Sequence, residues 1–120
     1  MTCSTEFSLR SVTTAADWEQ FLDLPDRIYR DDPQWVAPLR SDVAKQLAPG
    51  NPFLAYGCLQ AFLAIDSAGQ AVGRIVAAIN LRLIDKECRA IGLFGFFESV
   101  NNSVVAAALV AAAGQWLRDR

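Results

Sequence analysis

The chain has 120 residues, 52% of them hydrophobic and 20% charged, with a net charge of −2. That fits one globular domain and excludes a disordered chain, because apolar residues are plentiful and the charge is nearly balanced. There is no histidine, so a Ser-His-Asp triad, a Cys-His pair and a histidine-ligated metal are excluded within this chain.

Residues 6–12, EFSLRSV, alternate apolar and polar positions and read as a first strand. Thr13 or Thr14 can cap the helix that follows, with Asp17 and Glu19 near its positive end. Trp18, Phe21, Leu22, Ile28 and Tyr29 recur at helical spacing and form one apolar face. Pro25 lies inside that pattern, so the helix is expected to kink or divide there. The next stretch, DDPQWVAPL (residues 31–39), is a loop, with Trp35 and Val36 expected to tuck against the core. Its acidic pair, Asp31 and Asp32, has Arg27, Arg30 and Arg40 nearby and reads as a surface ion-pair cluster rather than a metal site. LRSDVAKQLA (39–48) gives a short helix, which PGNP stops.

CLQAFLAID (58–66), the turn SAGQ and AVGRIVAAIN (71–80) form a hairpin, the clearest supersecondary signal in the chain. Gly73 marks a bulge or a close backbone approach, and Arg74 is expected to face solvent or a partner. RAIGLFGFFES (89–99) is a further strand, placing Phe94, Phe96 and Glu98 on one face and Leu93, Phe97 and Ser99 on the other. Asn101 or Asn102 then caps the terminal helix. Residues 104–117, VVAAALVAAAGQWL, are apolar nearly all round, so this helix calls for cover on most sides. It is shorter than the ~20 residues that cross a bilayer. The expected order is strand, helix, helix, three strands, helix, with no repeat or linker dividing it.

Cys3, Cys58 and Cys88 are odd in number and far apart, which argues against a disulfide framework or a zinc site. They read as reduced thiols in a cytoplasm, Cys58 and Cys88 as small buried residues. The N-terminus lacks a basic region and long apolar run, so no secretion signal is expected. Scattered Lys and Arg give no expectation of nucleic acid or membrane binding.

In order along the chain stand Y-R-D-D-P-x-W-V-x-P-L from Tyr29, N-P-F from Asn51, V-G-R-I from Val72, G-x-F-G-F-F-E-S from Gly92 and W-L-R from Trp116. In these motifs and its element order the chain resembles the N-terminal half of the GNAT acyltransferase superfamily, in a bacterial GNAT-like branch. The resemblance implies an α/β fold, with a mostly antiparallel mixed sheet flanked by helices, as one partial domain over residues 1–120. It implies an acyl-CoA-dependent N-acyltransferase, acting by direct attack of an amine on the thioester. Acetyl-CoA or another acyl-CoA and an amine would be the substrates.

Glu98 would be the general base, with a solvated strand end as the other reading. Phe96 and Phe97 would line the pantetheine channel or simply pack in the core. Asn101, Asn102 and Ser103 would meet the cofactor phosphates or only cap the helix. No metal is implied. The superfamily's phosphate turn reads Q/R-x-x-G-x-G/A; here Asn101 stands in place of Gln or Arg and Val104 in place of the first glycine, while Ala106 fits, so close approach of phosphate is put in question. The fold also continues beyond this helix, so a missing C-terminal half or a homo-oligomer is expected, with self-association of the isolated chain. The rival reading is a truncated or inactive half-fold that dimerises or packs on a partner chain and binds no cofactor.

Overall fold

The hairpin forms the centre of the computed structural model, which describes residues 6–36, 40–48 and 51–120, Arg40 by its backbone alone. Strand β1 (Phe7–Ser11) is followed by helix α1 (Ala15–Ile28) and helix α2 (Arg40–Leu47). A single 3-10 turn (Pro52–Ala55) leads into β2 (Gly57–Asp66) and β3 (Ala71–Asn80). Helix α3 (Leu81–Glu87), β4 (Leu93–Ser99) and helix α4 (Ser103–Arg118) complete the order. The four strands form one antiparallel sheet in the order β1-β2-β3-β4. The fold is therefore α/β with an antiparallel sheet and helices on both faces.

Side chains of β2 divide by parity, as a pleated strand requires. Ala61, Leu63 and Ile65 pack with Phe21 and Leu24 of α1 and with Val43 and Leu47 of α2. Phe62 and Ala64 join Ile75 and Ala77 of β3 beneath Val105, Leu109 and Ala113 of α4. Strand β3 is covered on both faces, and residues 71–77 are buried without a break. Its turn to β2 is tied by the Asp66 carboxylate, whose Oδ1 accepts from the N–H groups of Ala68 and Gln70, both at 2.9 Å.

Gly73 is a close-approach position. A Cβ there would stand 2.5 Å from Cδ1 of Leu109 and 3.1 Å from Cγ1 of Val105, so the missing side chain lets α4 settle onto the sheet. A register shift between Ala64 and Ile65 also makes Gly73 part of an irregular stretch of β3.

Thr14 caps α1 in a full capping box: its hydroxyl accepts from the Asp17 N–H at 3.1 Å, and the Asp17 carboxylate accepts from the Thr14 N–H at 3.3 Å. The helix runs through Pro25 without dividing. Val12, on entry to α1, is buried with the same core. Asn80 caps α3 and Asn102 caps α4.

Several expectations need correction. β4 starts at Leu93 rather than at residue 89, and α3 and the 3-10 turn were not foreseen. Val36 is 85% exposed rather than tucked in, while its neighbour Trp35 stacks on Tyr29 with ring centroids 5.2 Å apart. Cys58 and Cys88 are exposed, not buried, because one opens β2 and the other ends α3 in a left-handed conformation (φ 53°). The arginine cluster around the acidic pair does not form among the described residues. Asp32 instead accepts from the Gln34 N–H at 2.9 Å, and Arg27 donates to Gln70 at 3.4 Å. Cys3, Pro38 and Pro49 lie outside the described residues.

Candidate functional site

Between Arg74↔Glu98 and Val76↔Gly95, two residues of β4 face the single residue Ile75 of β3. This is a β-bulge formed by Phe96 and Phe97. Phe96 adopts φ 53°, a left-handed backbone that a bulky side chain rarely takes. The bulge interrupts the ladder, which resumes at Glu98 and Ser99, and where the strand then gives way to α4 a cavity of about 810 Å3 opens. Its walls come from three places: Arg27, Ile28 and Tyr29 at the end of α1; Phe97, Glu98, Ser99 and Val100 at the end of β4; and Asn101, Asn102, Ser103 and Ala106 at the start of α4.

Five of the six residues singled out from the sequence line this cavity: Glu98, Phe97, Asn101, Asn102 and Ser103. Phe96 stands behind it, packed against the core under α1. Glu98 is held rather than loose. Its Oε1 accepts from the Tyr29 hydroxyl at 2.6 Å, a short charge-assisted bond. That bond raises the Tyr29 phenol above its ordinary pKa, with burial and the Glu98 and Asp32 charges acting the same way and the Arg74 cation opposing them.

At the head of α4, the Asn102 Oδ1 accepts from the N–H groups of Val104 at 2.9 Å and Val105 at 3.4 Å. Two of the four free donors of the first turn are thus taken by the cap. Ser103, the first residue of α4, lines the cavity. Val104 is 64% exposed and does not line the cavity, whereas Ala106 does.

Arg74 is the residue that sequence reasoning misplaced. It is 5% exposed, on the α1 side of the sheet. Its Nε donates to the Phe96 carbonyl at 3.0 Å, and an end nitrogen donates to the Phe21 carbonyl at 2.8 Å. Its guanidinium carbon lies 4.7 Å from the centre of the Phe21 ring, a cation–π distance. Burial draws Arg74 below its ordinary pKa, the Glu98 and Tyr29 charges offset this in part, and an arginine remains protonated throughout.

The Phe21 carbonyl needs an outside donor for a local reason: the residue four places on is Pro25, which has no N–H. A proline inside a helix and an arginine inside a buried apolar strand are each visible in sequence. Each raises a question of satisfaction that the other answers. Tyr29 was equally unforeseen, since 69 residues separate it from Glu98.

A second, smaller hollow of about 300 Å3 lies on the same sheet face, lined chiefly by Leu47, Phe53, Leu59, Val76, Phe94 and Phe96, with Gln46 and Asn51 as its polar members. Phe94 is 61% exposed there. Among the described residues no group of three or more Cys, Asp or Glu converges as metal ligands would, and no helix is long and apolar enough to cross a membrane.

No family model matches the chain, and no solved structure matches it. Among curated bacterial proteins it is similar to protein YghO of Escherichia coli (strain K12), 33% identical over 112 residues, which is 93% of this chain and 28% of YghO. It is also similar to the bacterial ceramide synthase of Caulobacter vibrioides (strain NA1000 / CB15N), 37% identical over 117 residues, 96% of this chain and 30% of that protein. The chain thus spans less than a third of the length of these curated relatives.

Proposed function

We propose that this chain forms part of a GNAT-like, acyl-CoA-dependent N-acyltransferase, and that the cavity at the end of β4 receives the acyl donor and the acceptor amine. The observation that carries the reading is the convergence, in one cavity, of a bulged strand end, an anchored carboxylate and the first turn of a 16-residue helix. The name of the ceramide synthase supports an N-acyl product.

The chemistry needs little from the protein. Glu98 takes a proton from the amine, the nitrogen attacks the thioester carbonyl, the new C–N bond forms and the C–S bond breaks. The thiolate leaves and takes up a proton. A carboxylate has a second oxygen to offer the amine while the first holds Tyr29. Arg27 and the Ser103 end of α4 line the same cavity and present positive charge and a helix N-terminus to phosphate. The apolar hollow beside β4 offers a surface for a hydrocarbon chain, in keeping with a lipid amine or a long acyl group.

Calorimetric titration of acetyl-CoA and of a long-chain acyl-CoA into the chain tests this. We expect saturable binding that Ser103→Asp weakens tenfold or more. The added carboxylate suits a helix N-terminus, so the fold is kept while phosphate is repelled. No heat at millimolar ligand overturns the reading.

A second reading is supported by one surface: Val104 and Val110 of α4 are exposed on the side away from the sheet. In it the chain is a non-catalytic module whose α4 packs on another copy or another chain.

A further inference from the structure

Phe96 combines a large side chain with a left-handed backbone, and such a residue persists only where its surroundings over-determine it. The surroundings here centre on one cation. Arg74 reaches from β3 to the Phe96 carbonyl inside the bulge and to the Phe21 carbonyl on α1. The second acceptor is available because Pro25 supplies no N–H to it. One turn further along, the Tyr29 N–H donates to the Pro25 carbonyl at 2.9 Å. The helix end that carries Tyr29 is thereby tied to the strand end that carries Glu98, and the two side chains meet at 2.6 Å.

We propose that Arg74 is the positioning residue of the Tyr29–Glu98 pair: by bridging the Phe21 and Phe96 carbonyls it fixes α1 against the β4 bulge and so delivers the Glu98 carboxylate to the cavity in one orientation. The bridge needs a fork. A guanidinium spans two carbonyls with separate nitrogens in a rigid plane, and an ammonium does not. The competing account makes Arg74 a charge only, present to neutralise Glu98. The inference concerns the geometry of this pair whether or not acyl transfer is the reaction, because its readout is an ionisation and not turnover.

The two accounts differ in sign. The charged groups facing Tyr29 are Glu98, Arg74 and Asp32. Arg74 favours the phenolate, so removing its charge alone raises the Tyr29 pKa. Removing the bridge separates Tyr29 from Glu98, deletes the dominant raising influence and lowers it.

The test is a spectrophotometric tyrosine titration of the chain, Arg74→Met and Arg74→Lys, each measured against its own Tyr29→Phe counterpart to isolate Tyr29. Glu98→Gln gives the midpoint for a pair without its carboxylate. Circular dichroism confirms the fold. We expect the Tyr29 midpoint to fall in both Arg74 variants, towards that of Glu98→Gln. An upward move in Arg74→Met, or an unchanged midpoint in Arg74→Lys, overturns the proposal, the latter because charge without the fork would then suffice. Should Arg74→Met fail to fold, Arg74→Lys decides alone.

Discussion

The two faces of the sheet are built on different principles. Under α4, contact is apolar and close: Val105, Leu109 and Ala113 repeat every four residues, and Gly73 yields its side chain so that Leu109 can approach. Under α1, the same sheet buries a cation, the helix above it contains a proline, and the neighbouring strand holds an aromatic residue at positive φ. The α4 face is held by volume, which tolerates exchange of one apolar residue for another of like size. The α1 face has an apolar core of its own and adds directed bonds to it, where the loss of one partner strands the other. It is the second face that opens into the cavity.

The largest effect should come from breaking the directed face. Arg74→Met leaves the Phe21 and Phe96 carbonyls without their donor in a buried setting, and we expect a loss of about 4 kcal/mol in chemical denaturation. Pro25→Ala sharpens the point. It restores an N–H that can bond to the Phe21 carbonyl, so it should be more favourable in the Arg74→Met background than in the wild type, by about 1 kcal/mol. Equal effects in the two backgrounds would mean that Pro25 and Arg74 are independent.

Next in size is the packed face. Leu109 is fully buried, and Leu109→Ala should cost about 3 kcal/mol. Gly73→Ala destabilises the wild type by collision with the Leu109 methyl, and should do so less when Leu109 has been shortened, because the added Cβ enters the space vacated. Additive losses would show that α4 moves away from the sheet rather than holding its distance.

Asp17, at the head of α1, tests the charged bonds in a milder setting. Burial pushes its carboxyl up, but the Thr13 and Thr14 N–H groups, Arg10 at 3.0 Å and the Thr14 hydroxyl outweigh this and hold it below its ordinary pKa. The contribution is therefore complete above the ordinary carboxylate value and is lost as pH falls through the lower, folded-state value. Asp17→Asn should cost about 1 kcal/mol at neutral pH, and wild-type and variant stabilities should converge in acid. A gap that persists below the folded-state value would mean that shape, not charge, is what Asn fails to supply.

The packed regions were legible in the sequence to the extent that they are periodic. Residues 58–80 announce a hairpin by two apolar runs around SAGQ, and cap chemistry narrowed the helix starts to Thr13 or Thr14 and to Asn101 or Asn102, of which the second of each pair is the cap. Alternation grouped Phe94 and Phe96 with Glu98, but the bulge shifts the parity: Leu93 and Gly95, opposite Ala78 and Val76, share the face of Glu98, and Phe94 stands opposite Ala77. The polar stretch after Glu98 led to the cavity. The unread parts are those where two distant segments satisfy each other. Period-two reading puts Arg74 on a face but cannot say that a carbonyl 53 residues earlier awaits it. The 3-10 turn and α3 were missed because elements of four and seven residues carry too few positions to show a period. Cys58 and Cys88 were misjudged because average burial says nothing of a strand's first residues or a helix's last turn.

The smallest effect on stability belongs to the outward side of α4, and it bears on the second reading of function. Val104 and Val110 are exposed, so Val104→Ser with Val110→Lys should change stability by less than about 0.5 kcal/mol. If α4 packs on a second copy, light scattering of the wild type should show a dimer or larger species, and the double variant should be monomeric with its fold intact. A wild type that is cleanly monomeric removes self-association as a role for this helix. The apolar residues outside the stripe would then stand as scattered surface positions of an ordinary kind. The contrast between the faces would also become sharper, since α4 would be held by its Val105-Leu109-Ala113 stripe alone and the cavity beside it by the Arg74 bridge.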